Sequence, residues 1–66
     1  MNITINGQRH EVSEGTSVAG ALESFGTPAR GVAVALDGAV VPRDSWQRTT
    51  LHEDATVEVL TAVQGG

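Results

Sequence analysis

The first twelve residues, MNITINGQRHEV (Met1–Val12), decide the fold. Met1, Ile3 and Ile5 alternate with Asn2, Thr4 and Asn6, the two-residue period of a strand with one buried face. Asn6-Gly7 follows, a strong hairpin signal, because both residues tolerate the positive φ that a tight type I′ turn needs. A second strand, Gln8 to Val12, therefore runs back along the first. The chain opens on an antiparallel hairpin whose apolar face needs a cover.

The cover comes next. Thr16 or Ser17 caps a helix in which Val18, Leu22 and Phe25 recur at i, i+4 and i+7, with Ala21 between them on the same face. Gly26 suits the left-handed stop and Pro28 opposes a restart. Gly20 weakens this helix by about 1 kcal/mol relative to alanine, so the helix relies on the sheet beneath it. From Gly31, GVAVAL reads as a strand; Asp37-Gly38 turns it, and a short partner, Ala39 to Val41, ends at Pro42. Val32, Val34 and Leu36 share one face of that strand, while Ala33 and Ala35 make the other small and uncharged. That second face is either covered within the fold or open to a partner. Arg43 to Glu53 is irregular, and a last strand runs from about Thr56 to Leu60 or beyond, with Val57 and Val59 on one side.

Hairpin, helix, strand with a short return, connector and final strand make an α+β order. One helix can cover one face of a mixed sheet of four to five strands if the first and last strands pair in parallel at its centre, joined through a right-handed crossover. This is the β-grasp, or ubiquitin-like, pattern. It assigns residues 1–62 to the domain and 63–66 to a flexible C-terminal Gly-Gly tail.

Bulk properties bound the function. A chain of 66 residues buries only about 60% of its unfolded surface, which leaves one thin core and no two-lobed cleft. There is no cysteine for a disulfide or a thiolate metal site. A net charge of −4 has the wrong sign for a nucleic-acid surface. No apolar run reaches the length of a membrane span, and MNITINGQRH lacks the features of a secretion signal, so the expected location is cytoplasmic.

Side-chain chemistry is sparse. His10 and His52 stand in separate segments without metal-ligand spacing and read as two surface histidines. Glu53 and Asp54 precede the last strand and read as turn residues, not as an acid and base pair. Gly15-Thr16-Ser17 lacks the lysine of a phosphate loop, and no serine sits in a nucleophile elbow. No catalytic residue and no metal site are expected. Trp46 either anchors the connector or meets a partner, and Arg43 and Arg48 beside it are solvated or dock an acidic surface. The remaining distinctive group is the α-carboxylate of Gly66, ionised at neutral pH and carried on a lead without Cβ atoms at Gly65 and Gly66. Such a lead threads a narrow channel. A partner enzyme can set its carboxylate against the α-phosphate of ATP, expel pyrophosphate and hold an acyl-adenylate.

The opening MNITINGQ, the block GVAVALDGAVVPRDSW and the ending VEVLTAVQGG resemble the sulfur carrier proteins of thiamin biosynthesis, the ThiS family. The most specific part is the combination of VVPR, the following Trp46 and VEVLTAVQGG. The resemblance implies that a ThiF-like adenylating enzyme activates Gly66 with ATP and that a persulfide sulfur donor converts the carboxylate to a thiocarboxylate. A ThiG-like thiazole synthase then takes the sulfur for thiazole phosphate. It makes Gly66 the adenylate and thiocarboxylate position, Gly65 its permissive neighbour, and Ala62, Val63 and Gln64 the lead inserted into partners. Ala33, Ala35 and Trp46 remain candidates for the partner surface. Members often carry Gly-Asp where this chain has Glu53-Asp54, so the turn before the last strand departs from the pattern. Three alternatives stay open: a sulfur carrier for molybdopterin or another pathway, a ubiquitin-like modifier, and an interaction module with an incidental tail. The chain has no lysine, which rules out modifier chains linked through its own side chains.

Overall fold

The computed structural model describes residues 1–27 and 31–61. Strands β1 (Asn2–Ile5) and β2 (Gln8–Glu11) form the opening hairpin, in register from Asn2 opposite Glu11 to Ile5 opposite Gln8. Asn6 and Gly7 turn it at φ of 49° and 83°, the left-handed pair anticipated from the dipeptide. Helix α1 (Val18–Phe25) starts at Ser17, whose hydroxyl accepts the Gly20 N–H, and stops at Gly26, at φ 84°. The N–H groups of Gly26 and Thr27 satisfy the carbonyls of Glu23 and Leu22, so the helix closes on the glycine where the sequence places the stop.

Strand β3 (Val32–Leu36) turns at Asp37-Gly38 into β4 (Ala39–Val41), and β5 (Thr56–Thr61) closes the order. The sheet has five strands in the order β2-β1-β5-β3-β4. β1 and β5 pair in parallel at its centre, while β5 with β3, and β3 with β4, are antiparallel. Helix α1 lies on one face, as the β-grasp order requires. The core between them holds Ile3, Ile5, Val18, Ala21, Leu22, Val34, Leu51, Val57 and Val59, and Phe25 packs against its edge.

The connector is more regular than its sequence implies. Arg43–Arg48 forms a 3₁₀-helix after Pro42, and the following residues run beside the entry to α1. There Val18 N–H donates to Thr49 and Leu51 N–H to Thr16, each at 2.9 Å. This pairing makes the connector a strut between helix and sheet. Among the described residues, no helix is long and apolar enough to cross a membrane.

Candidate functional site

β5 connects the core to the C-terminal residues, and its surroundings show how that connection is held. Its inward residues, Val57 and Val59, are buried, and Thr56, Glu58 and Leu60 face outward. β1 ends before it can pair with the second half of β5. The side chain of Asn6 takes over: Oδ1 accepts the Val59 N–H at 2.8 Å and Nδ2 donates to the Val59 carbonyl at 3.2 Å. An amide side chain thus extends the ladder by one rung, satisfying both polar groups of a residue two positions before the last of the strand.

A second clamp holds the opposite end of β5. Asp37, in the β3–β4 turn, accepts the Thr56 N–H at 2.9 Å through Oδ1 and meets His52 Nε2 at 2.5 Å through Oδ2. His52 Nδ1 lies 2.8 Å from the Glu53 carbonyl. Both partners of this imidazole are acceptors, so the arrangement is complete when both ring nitrogens carry protons. The hydrogen bond that His52 donates to Asp37 raises the His52 pKa above its ordinary value, with help from the Glu53 carbonyl. The Thr56 N–H, and then His52, hold the Asp37 carboxyl below its own. These two groups tie the β3–β4 turn to the start of β5, which is a structural role.

The candidate partner residues separate. Ala33 is exposed and Ala35 half-buried on the sheet face turned away from α1, so no element of the described fold covers that face of β3. The register adds two residues that sequence alone did not single out: Leu60 lies opposite Ala33, and Val40 opposite Ala35. They are 65% and 75% exposed. Alternation along TVEVLT gave a signal for Leu60, but only strand pairing places it beside the alanines. Trp46 does not share this surface. It is 5% exposed, packed in the core on the helix side, and its Nε1 donates to the Val41 carbonyl at 2.9 Å. The ring is large enough to fill the gap beneath the connector, which makes it the anchor; Arg43 lies over it, 5.7 Å from the ring centroid.

Of the two histidines, His52 is exposed as expected and His10 differs. His10 is half-buried because β2 points it to the helix side opposite Ile3, where it meets Phe25 edge-on with centroids 4.9 Å apart. Glu53 and Asp54 do form the turn before β5, with Asp54 at φ 66°. Among the described residues, no group of three or more His, Asp or Glu side chains is arranged to hold a metal ion. Ala62, Val63, Gln64, Gly65 and Gly66, the presented lead and its terminal position, lie outside the described residues.

Comparison with known proteins agrees with this architecture. The model of the ThiS family matches residues 3–66. The fold superposes on the crystal structure of a thiamine biosynthesis protein, ThiS, from Geobacter metallireducens with a TM-score of 0.85 and 33% identity, each chain covered completely. The solution structure of a thiamine biosynthesis protein from the same organism gives a TM-score of 0.78 at 33% identity, covering all of this chain and 88% of the other. The whole chain is also 36% identical to part of a thiazole synthase from Magnetococcus marinus. It spans 20% of that curated relative's length.

Proposed function

The chain belongs to the ThiS family, the sulfur carriers of thiamin biosynthesis, and from that premise we propose that its working group is the carboxylate of Gly66. In this reading the chain is a protein co-substrate, not an enzyme. An adenylating enzyme places the carboxylate against the α-phosphate of ATP, pyrophosphate leaves, and the acyl-adenylate forms. The terminal sulfur of a persulfide donor then displaces AMP to give an acyl disulfide, and a thiol cleaves its S–S bond, leaving the thiocarboxylate and a new disulfide; thiazole synthase consumes the thiocarboxylate. Gly65 keeps the approach free of Cβ atoms, and Ala62, Val63 and Gln64 are the lead that enters each partner. In this reading the work is done in the cytoplasm, where ATP is at hand.

One observation carries the proposal: the family match extends through Gly65 and Gly66. The thiazole synthase similarity supports the acceptor. In that relative a segment like this chain makes up 20% of a polypeptide named for the enzyme, so carrier-like module and synthase are already joined. Joining them supplies the high effective concentration that a carrier and its consumer need.

The test is intact-mass measurement after incubation with the adenylating enzyme, ATP, a persulfide donor and a thiol reductant. The expected product has one oxygen at the C-terminus replaced by sulfur. Deleting Gly66, or adding one residue after it, abolishes the change while the domain stays folded. An unchanged mass for the wild-type chain, under conditions that convert a control carrier, overturns the proposal.

A further inference from the structure

The chain holds two asparagines, and their neighbours set them apart. Asn2 precedes Ile3, whose branched side chain crowds the backbone nitrogen beside it. Asn6 precedes Gly7, and a Cβ built at Gly7 would meet nothing within 4 Å. Both turn residues are exposed. The Gly7 nitrogen is therefore an unhindered, solvated nucleophile next in the chain to the Asn6 amide, and its closure on Asn6 Cγ makes a five-membered imide. The fold engages the same amide elsewhere. Asn6 Oδ1 accepts the Val59 N–H at 2.8 Å and Nδ2 donates to the Val59 carbonyl at 3.2 Å. Swinging the amide onto Gly7 breaks these bonds, since Val59 lies across the sheet on β5.

We propose that Asn6 is a site of spontaneous deamidation, that its bonds to Val59 gate the reaction, and that the reaction unfastens the second half of β5. The Gly7 nitrogen gives up its proton to water and attacks Asn6 Cγ; the bond from Cγ to Nδ2 breaks, and Nδ2 takes a proton and leaves as ammonia. Water then adds to one of the two imide carbonyls and opens the ring, either to aspartate or to isoaspartate. One amide and one water become one carboxylate and one ammonium ion. Either product fails at Val59. Aspartate keeps an oxygen for the Val59 N–H but has no donor for the Val59 carbonyl, so a charged oxygen faces a carbonyl oxygen. Isoaspartate adds a methylene to the main chain of a two-residue turn and so disturbs the pairing of Ile5 with Gln8. Backbone pairing of β1 with β5 ends at Ile5 and Val57, closed by the Asn6 N–H on the Val57 carbonyl. Beyond that bond, among the described residues, the Asn6 side chain is what holds Val59 from the β1 side; β3 holds it from the other. The Asp37-Gly38 turn carries an ionised carboxylate, a poor electrophile, so the chemistry concentrates at Asn6.

The experiment ages the full chain at mildly alkaline pH, in buffer, in urea below its unfolding transition and in urea above it. Trypsin then releases Met1–Arg9, which contains both asparagines, and tandem mass spectrometry locates the exchange of NH₂ for OH, a gain of about 1 Da. Above the transition Asn6 converts and Asn2, the internal control, stays intact. In buffer the conversion of Asn6 is slower by about tenfold or more, and below the transition it rises in step with hydrogen exchange at the Val59 amide, followed by NMR on the same samples. Asn6→Asp, its folding verified by thermal melts, speeds Val59 amide exchange about tenfold, the effect of one lost hydrogen bond, and leaves Thr4 unchanged. Wild-type chain aged in buffer supplies the same reading from its converted fraction if Asn6→Asp does not fold. Equal conversion of Asn6 in buffer and above the transition removes the gate and overturns the proposal. So does conversion of Asn6 no faster than that of Asn2 in the unfolded chain, a conversion rate that does not follow Val59 exchange, or Val59 exchange unchanged once Asn6 has become an acid.

Discussion

Asn6 has two duties in this fold. Its backbone, at φ 49°, makes the first half of the hairpin turn, and its side chain completes the β1–β5 ladder at both polar groups of Val59. The first duty was legible in Asn6-Gly7; the second was not, because Val59 lies 53 residues away in the chain. Asn6→Gly keeps the turn conformation and removes both hydrogen bonds, so it is expected to cost about 1–2 kcal/mol in chemical denaturation, with the turn unaltered. His52 and Asp37 make a second residue-scale prediction. The His52 pKa is raised in the fold, so its contribution is fully present below its ordinary value of 6.5 and is lost as pH rises through the higher folded value. The Asp37 pKa is lowered, so its contribution is present above 3.8 and is lost as pH falls through the lower folded value. Stability therefore falls on both sides of the window in which both are charged. His52→Ala and Asp37→Asn should each flatten the alkaline limb of melting temperature against pH, and NMR titration of the His52 ring should place its midpoint above 6.5.

Elements differ in how openly the sequence declares them. Helix α1 is announced by its apolar spacing, by Ser17 at the start and by Gly26 at the stop, all of which act within a few residues. The 3₁₀-helix is silent in RDSWQR, where Trp46 is the one apolar side chain and no periodicity exists to be read. It forms because Pro42 sets its first turn, Trp46 enters the core and the backbone beyond it pairs beside Thr16 and Val18. Trp46→Phe removes the bond to the Val41 carbonyl and part of the ring's volume. A loss of about 1–3 kcal/mol is expected in denaturant unfolding, with the helical content of α1 retained. No change in stability would mean that the connector is held by its backbone pairing alone.

Across the whole molecule, the parallel β1–β5 pair is the centre around which the other strands are arranged. The amides of Thr4 and Asn6, bonded to Ala55 and Val57 across that pair, should exchange with solvent only through global unfolding, whereas amides of β2 and β4 at the sheet edges exchange through local opening. Native-state hydrogen exchange followed by NMR checks this order, and faster exchange at Thr4 than at β4 would contradict it. What the sequence determined by itself is local: alternation, the Asn-Gly and Asp-Gly turns and the helix caps all act over a few residues, and together their order limits how five strands and one helix can be assembled. The resemblance of VVPR, Trp46 and VEVLTAVQGG to a known family was likewise written in the chain. Tertiary structure alone decided that Trp46 is core and Ala33 is surface, that Val40 and Leu60 join the alanines, and that Glu58 stands among them. The physical reason is strand register: which side chains become neighbours across a sheet is set by hydrogen bonds between segments far apart in sequence, and no local pattern encodes them.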